Sequence, residues 1–386
     1  MKVLRRLLLL LLLLPACAFA QTDSADAKQP AEDFVIASVC VASPGEEIYS
    51  ALGHACLRLQ CPTHGLDYVY SYESEDVSHK VLDFFAGRLK MGVRAVPTEE
   101  YVAQYAPEGR GVTEYVLRLP IRVKQRLWQQ MDQRLQYSPV PYDYMNRSCA
   151  VSVLDWLEEA IGRDSLEYAP WPEKYGRSRK EIGGDSIVNE WNHIFVCTFV
   201  SGEANDVRID NRRKVIIPGE LVEVLQGAKA FGIPLVEDGC NVLQPTTKTV
   251  QPARVTPLML SLVVLLLSLV NLRLHNVWFR AAVLTPCLLL GAFVLYLVAL
   301  SHLPCTQWNW LVIPFCPLPF LLWRWRRHWA LPFAAICLAW IAGMLLYPHQ
   351  IVDSAHLVLA AAMAACNVEI KKNTARYQTT STKSNL

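Results

Sequence analysis

Apolar residues divide the chain into three parts of different character. A leucine-rich run occupies residues 7–14, and long uninterrupted apolar stretches return only after Thr256. Between them, apolar and polar positions follow the periodicities of strands and amphipathic helices. The pattern predicts a folded domain that lies between an N-terminal export signal and a membrane-embedded C-terminal part.

The middle part carries both strand and helix periodicity. Strands are predicted at residues 34–42, 55–59, 68–72, 113–119 and 194–200. Helices are predicted at residues 98–105, 123–136, 149–161 and 218–229. Since no internal repeat is visible, this mixture predicts a single α+β domain.

Five apolar segments follow a polar linker and predict an all-α membrane domain. They occupy residues 257–274, 277–300, 311–323, 329–347 and 351–368. A spanning helix needs about 20 apolar residues, so the third segment is short. Its prolines, Pro314, Pro317 and Pro319, predict a broken or tilted helix.

Positive charges predict the orientation of these segments. The connections after the first, third and fifth segments carry Arg273, Arg280, Arg324, Arg326, Arg327, Lys371 and Lys372. Basic connections stay in the cytoplasm. The middle domain and the loop of residues 301–310 are therefore predicted to lie together on the outer side.

The first residues have the form of a signal peptide. Lys2, Arg5 and Arg6 precede the leucine run, and Ala18-Phe19-Ala20 suits signal peptidase. The alternative is a lipobox that ends at Cys17, which would then be lipidated. The predicted divisions are a signal peptide at 1–20, a periplasmic domain at 21–245, a linker at 246–256, a five-helix membrane domain at 257–368 and a cytoplasmic tail at 369–386. The protein is expected in the inner membrane as a multi-pass protein.

Composition argues against several classes of partner. The formal charge is +2, and no basic tract with interleaved aromatic residues occurs in the middle domain, so nucleic acid is not an expected partner. Neither CxxC nor HExxH spacing is present, so no metal or cofactor is expected. Export permits disulfides, and Cys56 and Cys61, which flank a predicted turn, are the first candidate pair.

Two residues of the middle domain suggest thiol chemistry. Cys149 opens a predicted amphipathic helix, and a helix N-terminus with a nearby imidazolium lowers the pKa of a thiol. His54 follows a glycine on a predicted strand, and a turn near Thr63 would place it opposite residues 71–73. Ser71 and Tyr72 are then candidates to orient the imidazole. The alternatives are a buried core cysteine and a structural histidine.

Motifs in this order resemble the Lnb-type lipoprotein N-acyltransferase family. They are Gly53-His54-Ala55-Cys56-Leu57-Arg58-Leu59, Tyr70-Ser71-Tyr72, Phe84-Phe85-Ala86-Gly87-Arg88-Leu89, Tyr142-Asp143-Tyr144, and Asn146 with Cys149. The membrane part is similar as well, with an outer loop that contains His302, Pro304 and Asn309. The resemblance implies a circularly permuted papain-like (NlpC/P60-like) fold followed by five spans.

The resemblance also implies roles for individual residues. Cys149 would be the nucleophile and His54 its base, and the substrate-binding candidates are Tyr144, Asn146, His302 and Asn309. The chain departs from the family pattern at Ser148, where Asn is typical. Trp308 and Trp310 suit the level of lipid headgroups, so the loop of residues 301–310 is expected to close the membrane side of the site.

The implied activity is transfer of an acyl chain through a cysteine thioester. The donor would be a phospholipid or another acylated lipid, and the acceptor the α-amine of a lipoprotein's N-terminal cysteine. Two other classes remain open. One is a cysteine amidase or peptidase of the cell envelope, and the other is a non-catalytic envelope sensor, which the Ser148 departure would allow.

Overall fold

The computed structural model describes residues 34–74, 80–143, 146–170, 178–208, 217–245, 250–274, 276–321 and 326–383. The predicted signal peptide, Cys17 and Tyr144 lie outside these residues.

A seven-stranded antiparallel sheet forms the centre of the N-terminal domain. Its strands occur in the spatial order β10-β5-β1-β2-β3-β4-β6, and three two-residue strands form a second small sheet in the order β7-β8-β9. The strands are β1 Ile36–Ala42, β2 His54–Cys61, β3 Leu66–Ser74, β4 Lys90–Pro97, β5 Val112–Val116, β6 Val140–Pro141, β7 Leu166–Glu167, β8 Lys229–Ala230, β9 Ile233–Pro234 and β10 Cys240–Leu243. Strands β2 and β3 form a hairpin, in which Cys56 pairs with Ser71.

The helices divide between this domain and the C-terminal part. They are α1 Val81–Phe85, α2 Thr98–Ala103, α3 Ile121–Arg134, α4 Cys149–Ile161, α5 Arg179–Asp185, α6 Glu190–His193, α7 Pro218–Gly227, α8 Pro257–Leu274, α9 Val277–Leu300, α10 Leu318–Leu321, α11 Arg326–Leu346 and α12 Ser354–Lys383. Leu127 of α3, Leu157 of α4 and Leu221 of α7 pack with Leu57 and Leu117 in the main core, which lies on one face of the sheet. The domain is thus the mixed α/β unit that the periodicity predicted.

One predicted strand and one candidate disulfide are wrong. Residues 194–200 form a π-helix, Ile194–Phe199, rather than a strand. Cys56 and Cys61 lie on the same strand, five residues apart, so about 16 Å of extended chain separates them. A disulfide requires Cα atoms within about 7 Å. The direct cross-strand neighbour of Cys56 is Cys40, and both cysteines are free thiols.

Three helices of the C-terminal part are long and apolar enough to cross a membrane. They are Pro257–Leu274, Val277–Leu300 and His328–Leu346, and a shorter apolar helix is Ser354–Val368. In the predicted third span, the described residues form only a 3₁₀ turn, Trp310–Val312, and the four-residue helix α10. Prolines within this segment remove backbone donors that a continuous helix requires. Five full spans are therefore not established.

Two loops of the C-terminal part, at residues 301–310 and just after α11, contact α5 and the segment that follows it. Gly202 N–H donates to the Cys305 carbonyl at 2.7 Å, and Gln350 Nε2 donates to the Ser201 carbonyl at 2.9 Å. Lys180 Nζ bonds both Asp206 Oδ2 (2.9 Å) and a backbone carbonyl after α11. The loop of residues 301–310 consequently lies on the same side as the α/β domain.

Candidate active site

Cys149 is the first residue of α4. Ser148 caps this helix, because its Oγ accepts a hydrogen bond from Val151 N–H at 3.2 Å. Asn and Ser are about equally effective at this position. The departure from the family pattern therefore keeps the cap that an Asn would provide. Buried residues fix α4 against the sheet: Val153, Leu154, Leu157 and Ile161.

His54 is the first residue of β2, and the backbone conformation of the preceding Gly53 determines its position. Gly53 has φ +81°, a conformation that L side chains rarely adopt. A Cβ on Gly53 would lie 2.7 Å from the Ala42 carbonyl oxygen. Only glycine therefore allows the chain to turn here and deliver His54 to the end of the sheet.

Ser71 orients the imidazole of His54. Its Oγ lies 2.7 Å from His54 Nε2, and the Ser71 side chain is fully buried on β3. Because Nε2 is engaged with Ser71, Nδ1 is the ring nitrogen that remains for the thiol of Cys149. The structure thus brings together a thiol, an imidazole and a hydroxyl, which are the groups that a nucleophile, its base and an orienting residue would supply.

The electrostatics of this group favour an ion pair. Burial opposes the charged form of His54, but the Cys149 thiolate and its hydrogen bond raise the pKa of His54 to about 9. Burial raises the pKa of Cys149, yet the His54 charge and hydrogen bond, helped by the Ala55 and Ala150 N–H groups, bring that pKa below its ordinary value. A thiolate beside an imidazolium is the reactive form of a cysteine nucleophile.

Tyr72 and Asn146 occupy different positions from Ser71. Tyr72 Oη is buried and, among the described residues, finds no hydrogen-bond partner. Asn146 is exposed, and its Nδ2 donates to Asp143 Oδ2 at 2.8 Å. The side chain of Asn146 therefore holds the loop before Cys149 rather than facing the thiol. Tyr144 falls outside the described residues.

Asp143 and Tyr142 also contribute to the site. Neither residue was assigned a role from the sequence. Asp143 accepts from Asn146 and, through its backbone carbonyl, from Arg147 N–H at 2.7 Å, which closes the turn that leads into α4. Burial and the nearby Cys149 raise the pKa of Tyr142, so its phenol stays protonated. Both belong to the Tyr-Asp-Tyr motif, whose position just before the cysteine was the available sequence clue.

His302 lines a cavity together with Tyr142, and Asn309 does not. A cavity of about 400 Å³ is lined by Tyr142, Asp143, Arg147 and, from the outer loop, His302 and Pro304. Asn309 is buried, donates to the Phe199 carbonyl at 2.8 Å and accepts from Leu311 N–H. It therefore shapes the loop, and the expected contact between Asn309 and a substrate has no support.

Residues 82–87, in and just after α1, connect the α/β domain to this loop and to the end of α9. His302 N–H donates to the Ala86 carbonyl at 3.0 Å, and Tyr296 Oη donates to the Leu82 carbonyl at 3.0 Å. Gly87 has φ +70°, and a Cβ there would lie 2.9 Å from Leu303 N. Within the ranges described, no three His, Cys, Asp or Glu side chains converge to hold a metal ion.

The chain combines an α/β domain that holds a Cys–His pair with three helices that are long and apolar enough to cross a membrane. Residues 22–173 match the family model described as the Lnb N-terminal periplasmic domain, and this range contains His54, Ser71 and Cys149. The match confirms the resemblance to the Lnb family over these residues, and together with three helices long and apolar enough to cross a membrane it fits a membrane protein with a periplasmic N-terminal domain. No curated protein and no solved structure matches the chain.

Proposed function

We propose that this protein transfers an acyl chain from a membrane lipid to the N-terminal amine of a lipoprotein. The observation that carries the proposal is a cavity lined both by His302 of the loop at residues 301–310 and by Tyr142, whose phenol is near enough to Cys149 for that thiol to raise its pKa. That loop directly follows α9, a helix long enough to cross a membrane. Donor and acceptor both have acyl chains that stay in the bilayer. A thiol close to the membrane surface can therefore react with the donor and pass the acyl chain to the acceptor.

The first half-reaction forms a thioester. The Cys149 thiolate attacks the ester carbonyl carbon of the donor, a C–S bond forms, and backbone N–H groups at the start of α4 stabilise the oxyanion. The ester C–O bond then breaks, and the leaving alkoxide takes its proton from the His54 imidazolium. The products are S-acylated Cys149 and a lysolipid.

The second half-reaction transfers the acyl chain. The neutral α-amine of a diacylglyceryl-cysteine attacks the thioester carbonyl, and a C–N bond forms as the C–S bond breaks. His54 accepts the proton of the amine, which restores the thiolate–imidazolium pair. Separate half-reactions of this kind give ping-pong kinetics.

The order of the dyad along the chain supports a permuted papain-like fold. In papain-like enzymes the cysteine precedes its histidine by more than a hundred residues. Here His54 precedes Cys149, while the cysteine still opens a helix and the histidine still lies on the sheet. A five-span inner-membrane topology, with the basic loops in the cytoplasm, belongs to the same proposal.

Intact-mass analysis of a lipoprotein tests the activity. The lipoprotein is produced with this protein, without it, and with its Cys149→Ala variant. The expected result is one additional acyl chain on the N-terminal cysteine only with the unsubstituted protein. An unchanged mass would contradict acyl transfer, and a cleaved product would favour the amidase or peptidase alternative.

A further inference from the structure

The cavity next to Tyr142, the residue whose phenol Cys149 affects, contains two cationic side chains that have no role in the mechanism above. Arg88 and Arg147 line it together with Tyr142, Asp143, His302 and Pro304. Arg147 lies two residues before Cys149, and Arg88 belongs to the segment that the outer loop contacts. The cavity therefore carries two positive charges, and its Tyr142 wall is the part that is near Cys149.

Neither arginine is neutralised by a carboxylate in the part of the chain that the structure describes. Other arginines of the same domain behave differently: Arg58 bonds Asp67 and Glu114, and Arg134 bonds Glu159. The carboxylate in the cavity, Asp143, accepts hydrogen bonds from Asn146 instead. Two guanidinium groups against one carboxylate leave the cavity with a net positive charge.

A buried hydroxyl near Arg147 also lacks an acceptor. The Tyr72 side chain is 7% exposed, and its Oη has no hydrogen-bond partner among the described residues. Burial raises the pKa of this phenol, nearby Arg147 lowers it, and Asp143 raises it. Tyr72 does not itself line the cavity, but it is near two residues that do, Asp143 and Arg147.

A positively charged cavity suits an anionic ligand, and the position of this cavity at the end of an apolar helix indicates which one. His302 and Pro304 follow the end of α9 at Leu300, so the cavity lies where an apolar helix leaves the membrane. Trp308 of the same loop is 69% exposed, as expected for an aromatic residue at the headgroup level. Phosphodiester groups of glycerophospholipids occupy this level, and guanidinium forks bind phosphate oxygens in pairs.

We infer that Arg88 and Arg147 bind the phosphodiester of a glycerophospholipid and thereby place its ester carbonyl beside Cys149. This assignment rests on the proposed function in one respect, because it makes the bound phospholipid the acyl donor. It predicts that the protein discriminates a phospholipid from a neutral acylglycerol with the same chains. The acceptor, a thioether-linked diacylglycerol, carries no phosphate and would not compete for this site.

Protection of Cys149 from alkylation tests the binding without requiring turnover. The full-length protein in detergent is treated with iodoacetamide in the presence and absence of a short-chain ether-linked phosphatidylglycerol, which has no ester to transfer. The ratio of the two alkylation rates is the readout, so any change in the intrinsic reactivity of Cys149 cancels. The comparison ligands are the matched ether-linked diglyceride and inorganic phosphate.

The expected result is protection by the ether phospholipid alone. Arg88→Gln and Arg147→Gln should each weaken the apparent affinity by about tenfold, since each removes a charge-assisted hydrogen bond. Arg88→Lys and Arg147→Lys should weaken it less, because the charge remains. Arg122→Gln, at an exposed arginine of α3, is the matched control and should bind like the unsubstituted protein.

Three results would overturn the inference. They are unchanged protection in the Arg88→Gln/Arg147→Gln double variant, equal protection by the neutral diglyceride, and equal protection by inorganic phosphate, which would indicate a site for free anions. Failure of the proposed function gives a different pattern. The ether phospholipid would still protect Cys149 in an arginine-dependent way, while an ester phospholipid would leave no acyl chain on the protein.

Discussion

His54 and Cys149 stabilise each other in their charged forms. Each would be neutral if it were buried alone, because burial disfavours the imidazolium and the thiolate alike. Together, each supplies the opposite charge that the other needs, and two backbone N–H groups add to the stabilisation of the thiolate. The reactive thiolate therefore depends on a partner that lies 95 residues earlier in the chain.

The first half-reaction should slow as the pH rises past about 9. The pKa of His54 is raised to about 9, so the imidazolium persists below that pH and is lost above it. Without this proton the leaving lysolipid alkoxide has no acid. The rate of S-acylation is measured without acceptor, so that the titration of the acceptor amine does not contribute. A rate that stays constant up to pH 10.5 would contradict the role of His54 as the acid.

Ser71→Ala should slow S-acylation by about ten- to a hundredfold, the effect of losing a hydrogen bond to a charged group. The alkaline limit of the pH profile should move to lower pH, because Ser71 Oγ no longer accepts from the imidazolium. Ser38→Ala is the matched control, since Ser38 is also fully buried in the sheet and its Oγ has no partner among the described residues. An unshifted pH profile in Ser71→Ala would show that Ser71 only fills space.

At the scale of elements, the turn before β2 decides where His54 lies. Gly53 and Gly65 both have positive φ, at +81° and +64°, but only Gly53 is also close to backbone. Gly65→Ala should cost about 1–2 kcal/mol for the left-handed conformation alone. Gly53→Ala should cost more, because its Cβ would meet the Ala42 carbonyl, and it should abolish S-acylation by displacing His54. Thermal unfolding checks both variants, and equal melting temperatures would contradict this account.

Elements with strong local patterns were predictable from the sequence. Helix α4 has the predicted bounds because its apolar stripe and its Ser148 cap are both local features. The hairpin of β2 and β3 also follows from its own sequence, which is why the approach of His54 to Ser71 could be anticipated.

Elements that depend on distant contacts were not predictable. The apolar run of residues 194–200 resembles a buried strand, but Phe195 and Phe199 pack on Phe293 of α9, and the segment is a π-helix. Strand β4 was missed because its residues are all exposed or half-exposed, without an alternating apolar face, and only its pairing with β3 holds it in a strand. The cavity of Arg88, Arg147 and His302 forms only where the loop of residues 301–310 meets Ala86 and Gly87, just after α1, so no local pattern reveals it.

At the scale of the whole molecule, the outer loop must hold its shape for the cavity to exist. Asn309→Ala should reduce acyl transfer at least about tenfold, because it removes buried hydrogen bonds to the Phe199 carbonyl and from Gln350. Trp308→Phe should have a mild effect, since Trp308 is exposed and Phe keeps an aromatic ring at the headgroup level. Unchanged iodoacetamide reactivity of Cys149 would show that the periplasmic domain remains intact. Full transfer by Asn309→Ala would contradict the role of the loop.

A thioester on Cys149 is the most direct test of the central claim. The protein is incubated with a donor phospholipid and no acceptor, and its intact mass and acylated peptide are measured. The account predicts one acyl chain on Cys149 that hydroxylamine removes, absent in Cys149→Ala and in His54→Ala, with the double variant no worse than either single one. An unmodified Cys149, or an acyl chain that resists hydroxylamine and lies on Cys17, would contradict it.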